Sequence, residues 1–181
     1  MSAGITLAVR VMLIALFAVS SVTKVAGRGA FARFSAWVSA LPVPRTRRPV
    51  LIAAAFPAAE AVALILLAVP ATVEAGLVGS ALLLAVFAAG TTLVVRENAN
   101  VPCMCFGSSA TSMTAWHAVR DWLLCAAAVT GAGLAAPPPG GTPRVLTGVG
   151  TGLVVAMLVV FAEDLTVLWA STEPGRPGAR P

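Results

Sequence analysis

The chain has 181 residues, of which 59% are hydrophobic and only 10% charged, with a mean hydropathy of +0.94. A soluble globular domain carries about a quarter charged residues, so this composition excludes one and indicates an integral membrane protein. The net charge of +5 comes from twelve basic residues gathered beside apolar stretches, which is a pattern of membrane topology rather than of nucleic-acid binding.

A span needs about 20 apolar residues, so the chain has room for four to five transmembrane helices in one all-α, polytopic bundle. A single unit is expected over residues 1–170, followed by a disordered polar tail at 171–181. The first apolar stretch, about Ile5–Thr23, has no cationic segment before it and reads as a retained helix, not a cleaved signal. Lys24, the only lysine, closes it. In the long connection that follows, Phe31, Phe34, Trp37, Val38 and Leu41 recur at three- and four-residue steps, while Lys24, Arg28 and Arg33 can point elsewhere. This describes an amphipathic helix, either lying in the membrane interface or packed on the end of the bundle.

The second stretch, about Val50–Val69, contains Pro57 and Glu60. An ionisable group inside a span is costly and points by default to function. Two partners are open to Glu60: Lys24, reaching from the end of the first span, or a backbone carbonyl that bonds a protonated carboxyl. The third stretch, about Gly76–Val95, is followed by Asn100-Val101-Pro102-Cys103-Met104-Cys105-Phe106-Gly107. Proline and glycine mark this peptide as a turn ahead of a helix. A disulfide between cysteines two apart closes a strained, easily reduced ring. Arg96 and Arg120, close in sequence, and the start of the next helix favour a thiolate. Three readings are open: thiol–disulfide exchange, capture of a soft metal such as Cu(I) with Met104 assisting, or a chemically silent role. Two cysteines leave a zinc site incomplete, and no metal site is assigned.

The fourth stretch, about Trp116–Leu134, opens with His117, Arg120 and Asp121. His117 and Asp121 are four apart and can share a helix face, orienting the imidazole as a proton carrier beside the thiols. Alternatively, Arg120 and Asp121 satisfy each other. Cys125, deeper in the same stretch, reads as a small packing residue. The fifth stretch is about Val145–Ala162. If all five cross, the thiol loop shares one face with Lys24, His117, Arg120, Asp121 and most other charges. Six basic residues after the first span place that face in the cytoplasm by the positive-inside rule. Oxidation of an exported client requires the opposite side. Several of these arginines lie along the amphipathic segment, so the extracytoplasmic placement is preferred.

The order of parts resembles the MauE family of methylamine-utilisation membrane proteins, related to DoxX-like proteins. The shared parts are Lys24, the amphipathic connection, Glu60, Cys103-Met104-Cys105-Phe106-Gly107 and then Arg120-Asp121-Trp122-Leu123-Leu124, across about residues 5 to 134. Trp116 and Arg120 fit the family pattern, whereas Asp121 stands where asparagine is usual. The resemblance implies a multi-pass plasma-membrane component that works with a thioredoxin-like redox protein to form disulfides in an exported client. Cys103 and Cys105 would carry the exchange, with His117 or Arg120 tuning the thiolate. By analogy with vitamin K epoxide reductase-type disulfide carriers, a quinone would be the cofactor. Alternatives are a membrane scaffold for the thioredoxin-like partner and a Cu(I)-handling protein.

Overall fold

A computed structural model describes residues 2–26, 29–40, 49–97, 113–134 and 141–172, with side chains as far as Ala162. Every regular element among them is helical, in the order α1 (Ser2–Val25), α2 (Ala30–Ala40), α3 (Pro49–Ala68), α4 (Val73–Arg96), α5 (Ala115–Gly133) and α6 (Thr142–Thr172). The all-α polytopic fold expected from composition is therefore the fold observed. The helices extend a few residues beyond the apolar stretches, and α6 runs well past Ala162. Residues 173–181, most of the expected polar tail, lie outside the described residues, as do Arg28 and Arg45.

In lipid, apolar helices gain little by hiding from a solvent as oily as themselves, so they associate through close packing and polar contacts. α1 shows how the sequence arranges this. Its buried residues, Met12, Leu13, Leu16, Phe17, Ser20 and Lys24, follow three- and four-residue steps and form one stripe. The stripe packs into a ring in which α1 meets α3, α3 meets α4, α4 meets α5, and α5 returns to α1. Leu13, Leu16, Phe17, Leu67, Leu77, Leu84 and Leu124 fill its centre.

The ring is tied at the end remote from Lys24. Pro70 cannot continue α3, and a short 3-10 turn over Pro70–Thr72 starts the reversal into α4. Arg10 donates from Nε to the Leu67 carbonyl at 2.6 Å and from Nη2 to the Ala68 carbonyl at 2.9 Å, satisfying carbonyls that a helix end leaves without partners. Gly76 allows the two helices to touch: a Cβ there would lie 2.8 Å from the Leu67 backbone nitrogen.

Among the described residues, four helices are long and apolar enough to cross a membrane: Ser2–Val25, Val50–Ala68, the Pro70–Arg96 segment and Thr142–Ala162. α5 is not one of them, yet it lies within the ring, antiparallel to α4. Asp121 bonds to Thr91 near one end, Cys125 to Ala81 further along, and Leu134 to Thr6 of α1 at the other end. Its charged residues lower its hydropathy, and Arg120 and Asp121 are buried in the bundle interior. α6 contacts only α1 among the described helices, on the outside of the ring. The small faces of Gly148 and Gly152 make this possible, since a Cβ at Gly152 would sit 2.5 Å from the Ala8 carbonyl oxygen.

α2 forms where the amphipathic pattern places it. It packs across α1 and α3, with Phe34 and Val38 buried against Ala53. Phe34 stacks on Trp37 with centroids 5.6 Å apart and meets Phe56 edge-on at 6.5 Å. The amphipathic helix thus covers one end of the bundle.

Candidate functional site

Two ion pairs are buried inside the ring near that end. The first joins Lys24, on the last turn of α1, to Glu60 of α3, with Nζ 2.5 Å from Oε1. Of the two partners open to Glu60, the lysine is the one present. Both side chains are at most 2% exposed, so each loses its hydration and depends on the other. Ser20, one turn before Lys24, donates to Glu60 Oε1 at 2.9 Å and also accepts from Lys24 Nζ. Ser21 donates to Oε2 at 3.1 Å, so both carboxylate oxygens are engaged. The Lys24 ammonium also lies 5.5 Å from the Phe34 ring centroid and 5.4 Å from that of Phe87. Aromatic faces attract a cation, and here they replace part of the water it has lost.

The second pair lies on α5. Arg120 bonds Asp121 Oδ1 through Nε at 3.1 Å and Nη2 at 2.9 Å. Neighbouring helical residues point about 100° apart, so the pair forms because the arginine is long enough to fold back. Thr91 of α4 donates to the other oxygen, Oδ2, at 3.1 Å. Arg120 and Asp121 are thus partners of each other. His117 plays a different part, since its Nδ1 accepts the Thr114 backbone N–H at 3.1 Å in a capping box that starts α5. With Nδ1 accepting, a neutral ring carries its proton on Nε2.

A cavity of about 30 Å³ lies between the pairs, walled by Leu13, Leu16, Phe17, Leu84, Phe87 and Leu124 and edged by Ser20, Glu60, Arg120 and Asp121. The polar atoms at its edge are turned to their own partners, so its walls are almost wholly apolar.

Among the sequence-predicted site residues, Lys24 joins Glu60, Arg120 joins Asp121, and both carboxylates border the same cavity. His117 is buried at the start of α5. Cys103 and Cys105 belong to residues 98–112, which lie outside the described residues. The flanking residues Glu97 and Met113 anchor that connection at the end of α4 and the start of α5, the end that holds the two pairs. Cys125 packs in the core, and its thiol donates to the Ala81 carbonyl at 3.4 Å. No group of three or more potential metal ligands occurs among the described residues.

Ser20, Ser21, Thr91 and the Phe34–Phe87 cage were not evident from the sequence. A signal for two of them was present: Ser20 continues the Leu13-Leu16-Phe17 stripe, and Thr91 continues Leu84-Ala88 on α4. Small hydroxyl residues are ordinary in membrane helices, so only the stripe distinguishes them.

A family model described as methylamine utilisation protein MauE matches residues 2–134. The matched range covers the ring and α2 and stops before α6. No curated protein and no solved structure gives a significant match.

Proposed function

The chain belongs to the MauE family of membrane proteins of methylamine utilisation, and on that premise we propose that it exchanges thiols and disulfides to support disulfide formation in an exported protein. One observation carries the reading. Cys103 and Cys105 lie in sequence between α4 and α5, and the described ends of those two helices, Arg96 and Ala115, belong to the end of the bundle where two ion pairs and His117 are gathered. Arg96 and Arg120, close in sequence to the thiols, and the start of α5 support a favoured thiolate, and a two-residue separation favours a reducible ring.

In the exchange, a client thiolate attacks one sulfur of the Cys103–Cys105 disulfide, forming a mixed disulfide and releasing the other cysteine as a thiolate. A second client thiolate attacks the client sulfur of that mixed disulfide and expels the remaining cysteine. The client is oxidised, Cys103 and Cys105 are reduced, and the two protons lost by the client are available to the two released thiolates. The disulfide of a thioredoxin-like partner then reoxidises the pair in the same two steps: the Cys103 thiolate attacks it, and Cys105 closes the ring.

Alkylation trapping tests the reading. In growing cells a fraction of the chain should carry the Cys103–Cys105 disulfide, and Cys103→Ser should leave client cysteines reduced. A Cys103→Ser/Cys105→Ser double variant that still matures its client would sink the proposal and favour a scaffold for the partner.

A further inference from the structure

The two ends of the bundle differ in aromatic residues as well as in charge. Trp37 lies on α2, and Trp116 and Trp122 lie on the first turns of α5, all at the end that holds the buried ion pairs. α6 runs beside α1 in the same direction, from Gly148 at Leu7 to Phe161 near Val19, so Trp169 belongs in sequence to that end too. The opposite end, made of residues 2–10, 68–76 and 131–150, has no aromatic residue in its sequence. Tryptophan collects at headgroup level in membranes, where one edge of the indole stays polar and the body stays apolar. Trp116 and Trp122 are each 48% exposed. Trp122 donates to Thr92 Oγ1 at 3.2 Å and Thr91 meets Asp121, which sets Arg96, one turn further along α4, level with the start of α5 and Trp116. One turn inward, Leu93 and Val119 are exposed and apolar, so lipid tails reach that level and headgroups lie just outside it.

Charge complementarity selects among headgroups. The Lys24–Glu60 and Arg120–Asp121 pairs balance themselves inside the ring. Between Lys24 and Glu60 the sequence has five arginines and no acid, and as far as the end of α6 only Glu97, Glu163 and Asp164 stand against these and Arg96. Arg33 lies on the exposed side of α2 with Ala32, Ala36 and Ser39, opposite the Phe34 and Val38 face that packs on α3, and Arg96 is exposed at the end of α4. We propose that Arg33 and Arg96, with the tryptophans at their level, form a rim that binds anionic phospholipid, the guanidinium groups on headgroup phosphate and the indoles among the upper acyl chains. A guanidinium matches phosphate oxygens with two parallel hydrogen bonds, and a basic side chain within a Debye length of an anionic membrane surface is drawn to it. α2 is thereby a membrane contact as well as a cover over the ion pairs. The rim reads headgroup charge, so it works in either leaflet and is independent of the thiol exchange.

The test uses the full chain in nanodiscs of equal parts phosphatidylglycerol and phosphatidylcholine, with one of the two lipids brominated high on its acyl chains and tryptophan fluorescence as the readout. Quenching should be stronger when the anionic lipid carries the bromine, and the ratio gives its enrichment at the rim. Arg33→Gln and Arg96→Gln should each lower that enrichment about fivefold, the contribution of one arginine near an anionic surface. Arg144→Gln, at the opposite end, should leave it unchanged. High salt should reduce the enrichment as the charges are screened. Equal quenching by the two lipids in the unmodified protein overturns the proposal, and so does an enrichment that survives both rim substitutions. Stronger quenching from bromine at the chain ends than from bromine near the headgroups would place the tryptophans too deep for a rim. Loss of the enrichment on adding soluble glycerol phosphate would show a site for a free phosphate ester and not for lipid.

Discussion

Lys24 and Glu60 stabilise the bundle only as a pair. Removing one leaves the other as a buried, unpaired charge, a loss of about 3–5 kcal/mol in such sites, while an apolar pair of similar volume is often tolerated. Lys24→Ala and Glu60→Ala should each lower the unfolding midpoint in detergent markedly. Lys24→Met/Glu60→Leu should recover most of the loss, and a double-mutant cycle reads the coupling directly. Equal loss in the single and double variants would show that the pair does not act as a unit. The Arg120–Asp121 pair differs in kind, because its two members sit on one helix and Asp121 is linked to α4 through Thr91. α4 and α5 are therefore joined by neutral donors, with Thr91, Trp122 and Cys125 each bonding across, whereas α1 and α3 share an ion pair.

At the level of elements, α6 stands apart. It lies outside the ring, its contacts are with α1 alone among the described helices, and the family match ends before it begins. Its seat depends on the close approach at Gly152, where a Cβ would also come within 2.9 Å of Val11 Cβ. Gly152→Leu should separate α6 from α1 while leaving the Lys24–Glu60 contact in place. Engineered cysteine pairs make this measurable: a crosslink across α1 and α6 should be lost, and one across α1 and α3 kept. Loss of both would mean that α6 helps to close the ring. α5 illustrates the opposite case: its charged start lowers its hydropathy below that of the other four long helices, yet its contacts run the length of the bundle, in keeping with the Trp116–Leu134 stretch read from the sequence.

For the molecule as a whole, the distribution of polar groups defines two unlike ends. Arg10 serves the turn between α3 and α4 at one end, and both buried ion pairs lie toward the other, capped by α2. The exchange reading expects the second end to face the extracytoplasmic side. An impermeant maleimide added to intact cells should label Cys103 or Cys105 after mild reduction. Cys125, 8% exposed and bonded to Ala81, should react only after unfolding, so labelling reports the loop alone. Labelling confined to inverted vesicles would place the thiols in the cytoplasm and remove an exported client from their reach.

Long uninterrupted apolar runs with only 10% charge determined that this is a helical membrane protein, because lipid admits only helices and closed barrels and a barrel strand alternates apolar with polar residues. Helical periodicity made α2 and the unusual position of Glu60 visible, since an amphipathic stripe and a charge within a span are local properties. The partners were not local. That Glu60 meets Lys24, 36 positions away in the sequence, and that Asp121 meets Thr91, 30 away, depends on which helices neighbour each other and at what rotation. His117 was equally ambiguous: spacing let it face Asp121, but the orphan N–H groups at the start of α5 drew its Nδ1 into a cap. The convergence of two ion pairs on one small cavity follows from closing four helices into a ring, and only the tertiary structure decides that.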